Sequence, residues 1–342
     1  MAKILCTGAA GFVGSHLADA LIAQGHNVHI VDDLSGGFRR NLNKKAKFKQ
    51  MDLRRIGDID YLIKKEKFDI IHHLACHPYE GLSQFCPNDV ATTTFNASLN
   101  VFRAAARHGC SKIIFYSSMA RYGQGNYDPP FIEDKHPRAP VDVYGAAKCA
   151  AEVSLEALCD IAKIPYTILV PHNVAGPRQN MADPYRNVLA IWINRIRKDL
   201  PPLVYGEGTQ RRAFSHIDDI IPCCVKASEP GIADGEIINI GSARYVTILE
   251  AARLTLALME KTGRTRLSPQ FVPERPREVK EAYCSIEKSQ RLLGFQDKKT
   301  LADIINDMIS YSYSLGDAKK PRYLSQIEIE KGCPEVWLKK LI

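Results

Sequence analysis

The sequence of 342 residues lacks the features that would assign it to a membrane, a secretory route or a disulfide-rich scaffold. No apolar run reaches the ~18 residues that a membrane-spanning helix needs. The first residues, Met1 to Cys6, lack the long apolar stretch of a signal peptide. The ten cysteines have no regular spacing and include no Cys-x-x-Cys pair, which disfavours both a disulfide frame and a zinc site. We therefore expect a cytoplasmic protein with reduced thiols.

The sequence also lacks a basic tract of the kind that binds nucleic acid. Its 46 Lys and Arg and 38 Asp and Glu give a formal net charge of +8, but the basic residues are scattered among acidic ones. A small anionic ligand accounts for this excess equally well, so we expect neither a nucleic-acid nor a membrane partner. With 45% hydrophobic and 25% charged residues, the chain has the composition of a soluble globular protein with one large core and a second lobe, or with two domains.

A glycine-rich loop follows the first predicted strand, Lys3 to Cys6. The loop carries Gly8, Gly11 and Gly14 and leads directly into a helical pattern. Glycines allow the backbone to turn tightly and approach a pyrophosphate, whose charge then meets the helix N-terminus. The order of strand, loop and helix therefore predicts a dinucleotide site.

The second predicted strand, Asn27 to Val31, is followed by the acidic pair Asp32 and Asp33. Asp32 lies 18 residues after the last glycine of the loop, close to the ~20 typical of an acid that binds the adenosine ribose. Such a carboxylate repels a ribose phosphate, so NAD is favoured over NADP. Arg39 and Arg40 leave NADP open, because nearby arginines could bind that phosphate.

Apolar residues at helical spacing predict a helix over residues 143–158. In such a helix Tyr144 and Lys148 lie at i and i+4 on one face. Free tyrosine titrates near pH ~10, and a cation within a few ångströms favours the phenolate. The pair can therefore supply a base that works near neutral pH. The alternative is an ordinary surface helix, because Tyr-x-x-x-Lys also arises by chance.

The Gly-x-x-Gly-x-x-Gly spacing after Thr7 resembles that of the short-chain dehydrogenase/reductase superfamily, and Phe12 points to its extended branch, which acts on nucleotide sugars. Ordered motifs over residues 3–295 are similar to those of its NAD-dependent nucleotide-sugar epimerase/dehydratase family, of the UDP-glucose 4-epimerase type. This resemblance implies an α/β fold, with a Rossmann-type doubly wound parallel sheet and a smaller mixed α/β substrate lobe.

The resemblance also implies a domain division and an assembly. The NAD-binding domain would span residues 1–172, with strands returning from about 213–241, and the nucleotide-sugar lobe would span 173–342. In this family, helices such as those beginning near Val90 and Tyr144 pair with the same helices of a second subunit. We therefore expect a homodimer.

The family's functional residues can be carried over to matching positions. Ser118 would complete a catalytic triad with Tyr144 and Lys148. The positions implied to bind NAD are Gly8, Gly11, Phe12, Val13, Gly14, Asp32, Asp33, Asp52, Leu53, Leu74, Ala75, Asn96, Tyr144, Lys148 and Pro171. The positions implied to bind a nucleotide-diphosphate sugar are Ser118, Asn173, Asn187, Val188, Tyr205, Arg212, Arg275 and Glu278. Arg212 and Arg275 would hold the diphosphate, since an arginine fork suits phosphate oxygens.

The two positions after Ser118 discriminate among the family's reactions. The similar 4,6-dehydratases carry Asp-Glu there and the decarboxylases keep the glutamate, whereas this sequence has Met119 and Ala120. Neither side chain transfers a proton, so the resemblance favours NAD-dependent epimerisation at carbon 4 through a transient 4-keto sugar. The alternatives are another nucleotide-sugar enzyme of the branch, such as a UDP-glucuronate epimerase, and a noncatalytic NAD-binding regulator.

The sequence leaves the sugar and the base open. Ala282 aligns with the position that gates the carbon 2 substituent, which would leave room for an N-acetyl group, but a shift of one residue would put Tyr283 there. A metal is not expected, because strand alternation sends the neighbouring His72 and His73 to opposite faces. The substrates most consistent with the resemblance are UDP-glucose and UDP-galactose, or a UDP-N-acetylhexosamine.

Overall fold

The structure is a computed structural model that describes residues 1–123, 129–264, 266–323 and 325–342. Its strands in chain order are β1 (Lys3–Thr7), β2 (Asn27–Asp32), β3 (Lys47–Gln50), β4 (Ile70–His73), β5 (Lys112–Tyr116), β6 (Tyr166–Pro171), β7 (Val174–Ala175), β8 (Leu203–Tyr205), β9 (Arg211–Ala213), β10 (Ser215–His216), β11 (Glu236–Ile240), β12 (Tyr245–Thr247), β13 (Gln270–Val272) and β14 (Glu281–Ala282). Its helices are α1 (Phe12–Ala23), α2 (Ile56–Glu66), α3 (Pro87–Ala91), α4 (Ala97–His108), α5 (Val143–Ala162), α6 (Val188–Ile196), α7 (Ile217–Lys226), α8 (Ile248–Glu260), α9 (Glu287–Leu293), α10 (Leu301–Ser314) and α11 (Glu335–Leu338). A π-helical turn, Thr92–Asn96, joins α3 to α4.

A parallel sheet forms the centre of the molecule. Within the described ranges it has seven strands in the order β11-β6-β5-β4-β1-β2-β3, and each neighbouring pair is parallel. Strands β4 and β5 are buried at every residue, as expected of strands covered on both faces. Helices α1, α7 and α9 pack on one face, and α2, α4 and α5 pack on the other. This arrangement confirms the predicted Rossmann-type doubly wound fold.

The order of the strands fixes where a ligand can bind. From β1 the chain moves outward through β2 to β3, and it then crosses to β4 on the other side of β1. Loops that leave β1 and β4 therefore diverge, and a crevice opens outside the carboxyl ends of these two strands. Open α/β sheets bind their ligands at such a switch point.

The second lobe is built on three helices and small sheets. Helices α6, α8 and α10 pack around a core that includes Trp192 and Met308. Strand β11 returns to the main sheet, and α9 packs against it, so that Leu293 and Phe295 join the core under α1. The sequence predicts a second lobe over residues 173–342, from which strands return to the main sheet at about 213–241. In the structure the chain leaves this lobe once more, at α9. Among the described helices, none is both long enough and apolar enough to cross a membrane.

Candidate functional site

The position of Tyr144 is set by the first turn of α5. Asp142 is the N-cap of this helix, and its carboxylate accepts a hydrogen bond of 2.7 Å from the Gly145 amide. A Cβ added to Gly145 would lie 2.6 Å from the Ala120 carbonyl oxygen. Only glycine therefore allows α5 to pack this closely against the loop after β5, and this contact brings Tyr144 to Ser118.

Tyr144, Ser118 and Lys148 lie together at the carboxyl end of β5. The Tyr144 and Ser118 side chains both line the cleft, and Ser118 is close enough to the phenol to lower its pKa. The Lys148 ammonium donates a 2.6 Å hydrogen bond to the Tyr116 carbonyl oxygen and lies 5.8 Å from the centre of the Tyr144 ring. Tyr144 and Lys148 are both buried. The structure thus assembles the three side chains that the sequence proposes as a catalytic triad.

Burial dominates the electrostatics of Tyr144. It raises the pKa of the phenol well above 10, and the nearby Cys76 side chain, which also lines the site, raises the pKa further. Arg186 lowers the Tyr144 pKa, and so does Ser118. The sequence predicts this effect for Lys148. In the structure the main cation that acts on the phenol is Arg186, because the Lys148 ammonium is directed to the Tyr116 carbonyl.

The glycine loop has the shape that a dinucleotide requires. Gly8 has a φ of +70°, and a Cβ there would lie 2.8 Å from the Ala75 backbone. At Gly14 a Cβ would lie 2.7 Å from the Ala9 Cα, so glycine allows α1 to start directly against the loop. No side chain caps the N-terminus of α1, and its first turn carries no acidic residue. The backbone amides of this turn therefore suit the pyrophosphate of NAD.

The acidic pair after β2 decides between NAD and NADP. Asp32 and Asp33 line the cleft beside the glycine loop, where their carboxylates can accept hydrogen bonds from the ribose hydroxyls. Asp32 is buried and accepts hydrogen bonds from the Ala10 and Leu34 amides, which fixes its carboxylate. Arg39 and Arg40 lie outside this lining and stack on Phe48 and Phe38, respectively. The structure therefore fits NAD.

Two arginines and a glutamate form a charged cluster at the other end of the cleft. The Arg212 guanidinium lies 3.0 Å from Glu278, and that of Arg275 makes two hydrogen bonds to the same carboxylate, of 2.5 and 2.8 Å. All three side chains line the cleft. Glu278 is one of the positions that the resemblance implies to bind the nucleotide-diphosphate sugar. In the structure its oxygens engage the two guanidinium groups, so that it holds both arginines in position.

One cleft contains nearly all the residues carried over from the family. They lie in its lining, with one exception. Asn96 is exposed and lies at a separate shallow depression with Arg54 and Asn100, which corrects its assignment to the NAD site. Thr93 and Ala97 of the same segment face the cleft instead.

Several of these residues also have structural tasks. The Asn187 carboxamide caps α6 through the Ala190 amide at 3.2 Å, and Asn173 donates to the Ala213 carbonyl at 3.0 Å. Neither of the two residues proposed to gate the carbon 2 substituent of the sugar lies in the cleft lining, since Ala282 and Tyr283 are both outside it. Ala282 pairs with β9 and the Tyr283 ring stacks on Tyr245, with a centroid distance of 4.4 Å.

Glu80, which the sequence patterns did not single out, comes from the loop after β4 and lines the cleft. Desolvation by the surrounding cleft raises its pKa although the residue is exposed to solvent, while Arg212 lowers it. Asp142, the cap of α5, also faces the cleft; burial and then Glu80 raise its pKa to about 7. The signal available in the sequence was the position of Glu80 shortly after a buried strand, at the edge where ligands bind.

The histidines of β4 are engaged with protein groups. His72 contacts the Tyr116 hydroxyl at 3.0 Å, whereas His73 contacts Thr7 at 2.7 Å and Ser98 at 2.8 Å. In the part of the chain that the structure describes, no group of three or more His, Cys, Asp or Glu side chains is arranged to hold a metal ion.

Comparison with known proteins identifies the family to which the chain belongs. Residues 4–241 match the model of the NAD dependent epimerase/dehydratase family. The chain belongs to this family. It is therefore an NAD-dependent enzyme of the nucleotide-sugar epimerase/dehydratase type, as the resemblance in sequence implied.

Individual relatives extend the match beyond the family model. UDP-glucose 4-epimerase of Mycolicibacterium smegmatis is 29% identical over 90% of this chain and 98% of its own. UDP-N-acetyl-alpha-D-glucosaminuronate decarboxylase of Bacillus cytotoxicus is 31% identical over 73% of this chain and 78% of its own. The solved structure of UDP-glucose 4-epimerase from Thermotoga maritima with UDP-glucose has a TM-score of 0.85 and 30% identity, and the match covers 92% of this chain and 99% of that one. About 8% of this chain thus lies outside the structural match.

Proposed function

We propose that the protein inverts carbon 4 of a UDP-sugar, with UDP-glucose and UDP-galactose or a UDP-N-acetylhexosamine as substrates. The observation that carries this proposal is that Ser118, Tyr144 and Lys148 line the same cleft as the two arginines, Arg212 and Arg275. The epimerases of Mycolicibacterium smegmatis and Thermotoga maritima support the choice of reaction.

The residues of the cleft have distinct roles in this reaction. The glycine loop and Asp32 would hold NAD, with Tyr144 and Lys148 at its nicotinamide ribose. When bound, NAD supplies the group that takes a hydride from carbon 4 and returns it to the opposite face. Tyr144 removes the proton of the carbon 4 hydroxyl and later gives it back, and Arg186 favours the phenolate that this step needs. Ser118 donates a hydrogen bond to the same oxygen.

The two arginines make inversion possible by holding only one part of the substrate. Arg212 and Arg275, which Glu278 fixes in place, bind the diphosphate. The 4-keto sugar can then rotate and present its opposite face while the nucleotide stays bound. Tyr144 returns the proton after this rotation, and the configuration at carbon 4 is inverted.

The side chains after Ser118 favour epimerisation over elimination or decarboxylation. Met119 and Ala120 form a buried 3-10 turn and provide no acid or base. Glu80 does reach the cleft, but its largest charge interactions are with Arg212, Glu278 and Arg275, at the diphosphate end. It comes from the loop after β4 and not from the two positions after Ser118, where the dehydratases carry their acid.

A panel of UDP-, GDP-, CDP- and dTDP-sugars, followed by proton NMR of carbon 4 stereochemistry, tests the proposal. We expect inversion of a UDP-hexose with no net NADH. Tyr144→Phe should lower kcat by about 10²–10⁴-fold and leave NAD bound. Tyr122→Phe is the matched control, because this buried hydroxyl bonds Asn239 away from the cleft.

Three outcomes would contradict the proposal. Release of carbon dioxide from a UDP-uronate would indicate a decarboxylase like the relative from Bacillus cytotoxicus. Net accumulation of NADH would indicate a dehydrogenase. Full activity of the Tyr144→Phe variant would remove Tyr144 from the role of base.

A further inference from the structure

The last part of the chain contributes Trp337 and Ile342 to the lining of the cleft. Residues 319–323 and 325–342, here called the C-terminal strap, begin against α6. Lys319 and Asn194 exchange two hydrogen bonds of 2.8 Å, and the Arg322 amide donates to the Ala182 carbonyl at 2.7 Å. At its end the strap returns to α6, where Arg195 donates to the Leu341 carbonyl at 2.8 Å. The strap is thus attached to the second lobe at both ends.

Between these points the strap is bound to the loop and helix that follow β4. The Glu328 carboxylate accepts hydrogen bonds of 3.0 Å from the Asn88 and Asp89 amides, which are the first turn of α3. The Glu328 amide donates to the Phe85 carbonyl at 2.7 Å. Ser325 donates to the Asp89 side chain at 2.8 Å. The strap therefore links the second lobe to a loop of the main sheet, the loop that also carries Glu80.

Trp337 is the larger of the two strap side chains in the cleft lining, the other being Ile342. It is 2% exposed and belongs to the same buried cluster as Tyr144 and Tyr79. Its ring centre lies 5.9 Å from that of Tyr185 and 6.4 Å from that of Tyr205. Trp337 also lines the cleft. An indole is a large apolar surface that suits a nucleobase or ribose face.

Trp337 also borders the arginine that binds the diphosphate. A Cβ at Gly81 would lie 3.3 Å from the Trp337 ring and 3.4 Å from the Arg275 guanidinium. Both side chains therefore pack over a glycine that leaves them room. The Arg275 guanidinium also lies 4.8 Å from the centre of the Tyr205 ring. Arg275 and Trp337 thus share Gly81 and Tyr205 as neighbours.

We propose that Trp337 is a substrate-binding residue that the C-terminal strap adds to the nucleoside-diphosphate subsite. Its ring covers the subsite beside Tyr205 and keeps Arg275 directed at the diphosphate. The inference rests on the proposed function, since it assumes that a nucleoside diphosphate occupies this end of the cleft. The ligand class is a nucleoside diphosphate, alone or carrying a sugar.

Titration calorimetry with UDP tests the inference on the full-length protein. Trp337→Ala should weaken UDP binding by about tenfold or more, as truncation of a buried aromatic anchor does. Its affinity for NAD should stay unchanged, and KM for the sugar nucleotide should rise more than kcat falls. Leu338→Ala is the matched control, because Leu338 lies on the same helix and is 39% exposed. Unchanged UDP affinity in a folded Trp337→Ala variant overturns the inference.

Tryptophan fluorescence gives a second test that does not depend on a truncating substitution. The chain has two tryptophans, Trp192 and Trp337. Trp192 is fully buried and donates to the Leu203 carbonyl at 2.7 Å. Trp192 also lines the cleft, so the Trp192→Phe variant, whose only tryptophan is Trp337, gives the decisive signal. UDP should change the emission of this variant, and an unchanged emission at saturating UDP counts against the inference. If the wild type binds none of UDP, GDP, CDP and dTDP, the proposed function itself fails.

Discussion

At the scale of single residues, the arrangement of Glu278 shows how a binding site can be fixed before the substrate arrives. Two guanidinium groups would repel each other and move apart without a partner between them. The Glu278 carboxylate, 6% exposed, pairs with Arg212 and Arg275 and keeps both directed into the cleft. A diphosphate can then bind without first ordering two long side chains, whose immobilisation costs binding free energy.

Replacement of Glu278 should therefore weaken substrate binding and leave the chemical step largely intact. We expect Glu278→Gln to raise KM for the UDP-sugar by about tenfold, which corresponds to ~1.4 kcal/mol, with a smaller effect on kcat. Steady-state kinetics measure both values. Glu281→Gln provides the control, because Glu281 makes a partly exposed ion pair with Arg211 outside the cleft lining. Equal effects of the two variants would show that Glu278 has no special role.

The residue scale also shows how far the sequence could predict the site. Tyr144 and Lys148 were predictable because they are four residues apart on one helix. Asn96 was misplaced because the π-helical turn Thr92–Asn96 changes the helical phase, so that Thr93 faces the cleft. No local pattern could reveal Trp337, since its contacts join segments far apart in the chain.

At the scale of elements, α5 combines a helix cap with the catalytic site. Asp142 caps the helix, and Tyr144 lies in its first turn. Asp142 also faces the cleft. Burial is the largest cause that raises its pKa, Glu80 raises the pKa further, and Arg277 lowers it. A structural carboxylate of α5 therefore titrates in the range in which the enzyme is expected to work.

The stability of the protein should report this titration. The Asp142 pKa is raised to about 7, whereas an unfolded aspartate has a pKa of ~3.9. Between these values the folded state binds more protons at Asp142, so the contribution of this group to stability falls as pH rises from ~4 to ~7. An asparagine side chain at this position keeps the cap without titrating. We expect the Tm of Asp142→Asn, relative to wild type, to increase between pH 5 and pH 8 in differential scanning fluorimetry.

A second capping acid provides the control for this pH series. Asp303 caps α10 together with Thr300, and the hydrogen bonds from Thr300 lower the Asp303 pKa. This carboxylate stays charged from pH 5 to pH 8, so the difference between Asp303→Asn and wild type should be constant over that interval. A constant difference for Asp142→Asn as well would refute the proposed titration of Asp142.

At the scale of the whole molecule, the order of the main sheet was the most predictable feature. The glycine loop, the acid after β2 and the buried apolar strands all indicate the same doubly wound fold, because each depends on short-range patterns. The boundary of the second lobe was less predictable. The packing of α9 depends on its contacts with α7 and β11, which are distant in the chain, and no local pattern encodes them.

Assembly belongs to the same scale. We propose a homodimer through α4 and α5, and α5 presents two exposed apolar side chains, Val153 at 50% and Ile161 at 81%. Val153→Asp should convert the dimer to a monomer, because an interface buries such a side chain and a carboxylate there would be desolvated. Light scattering after size exclusion measures the mass. Phe271→Asp is the control, since Phe271 is 54% exposed on β13 of the second lobe, and it should leave the dimer intact.

The thiol of Cys76 beside Tyr144 makes the site open to chemical probing. Among the described cysteines, Cys76 and Cys110 are partly exposed and the others are buried. A chain with Cys110→Ser would therefore react with a maleimide dye mainly at Cys76, within the cleft. Such a label would act as an occupancy reporter, and bound nucleotide would slow its attachment.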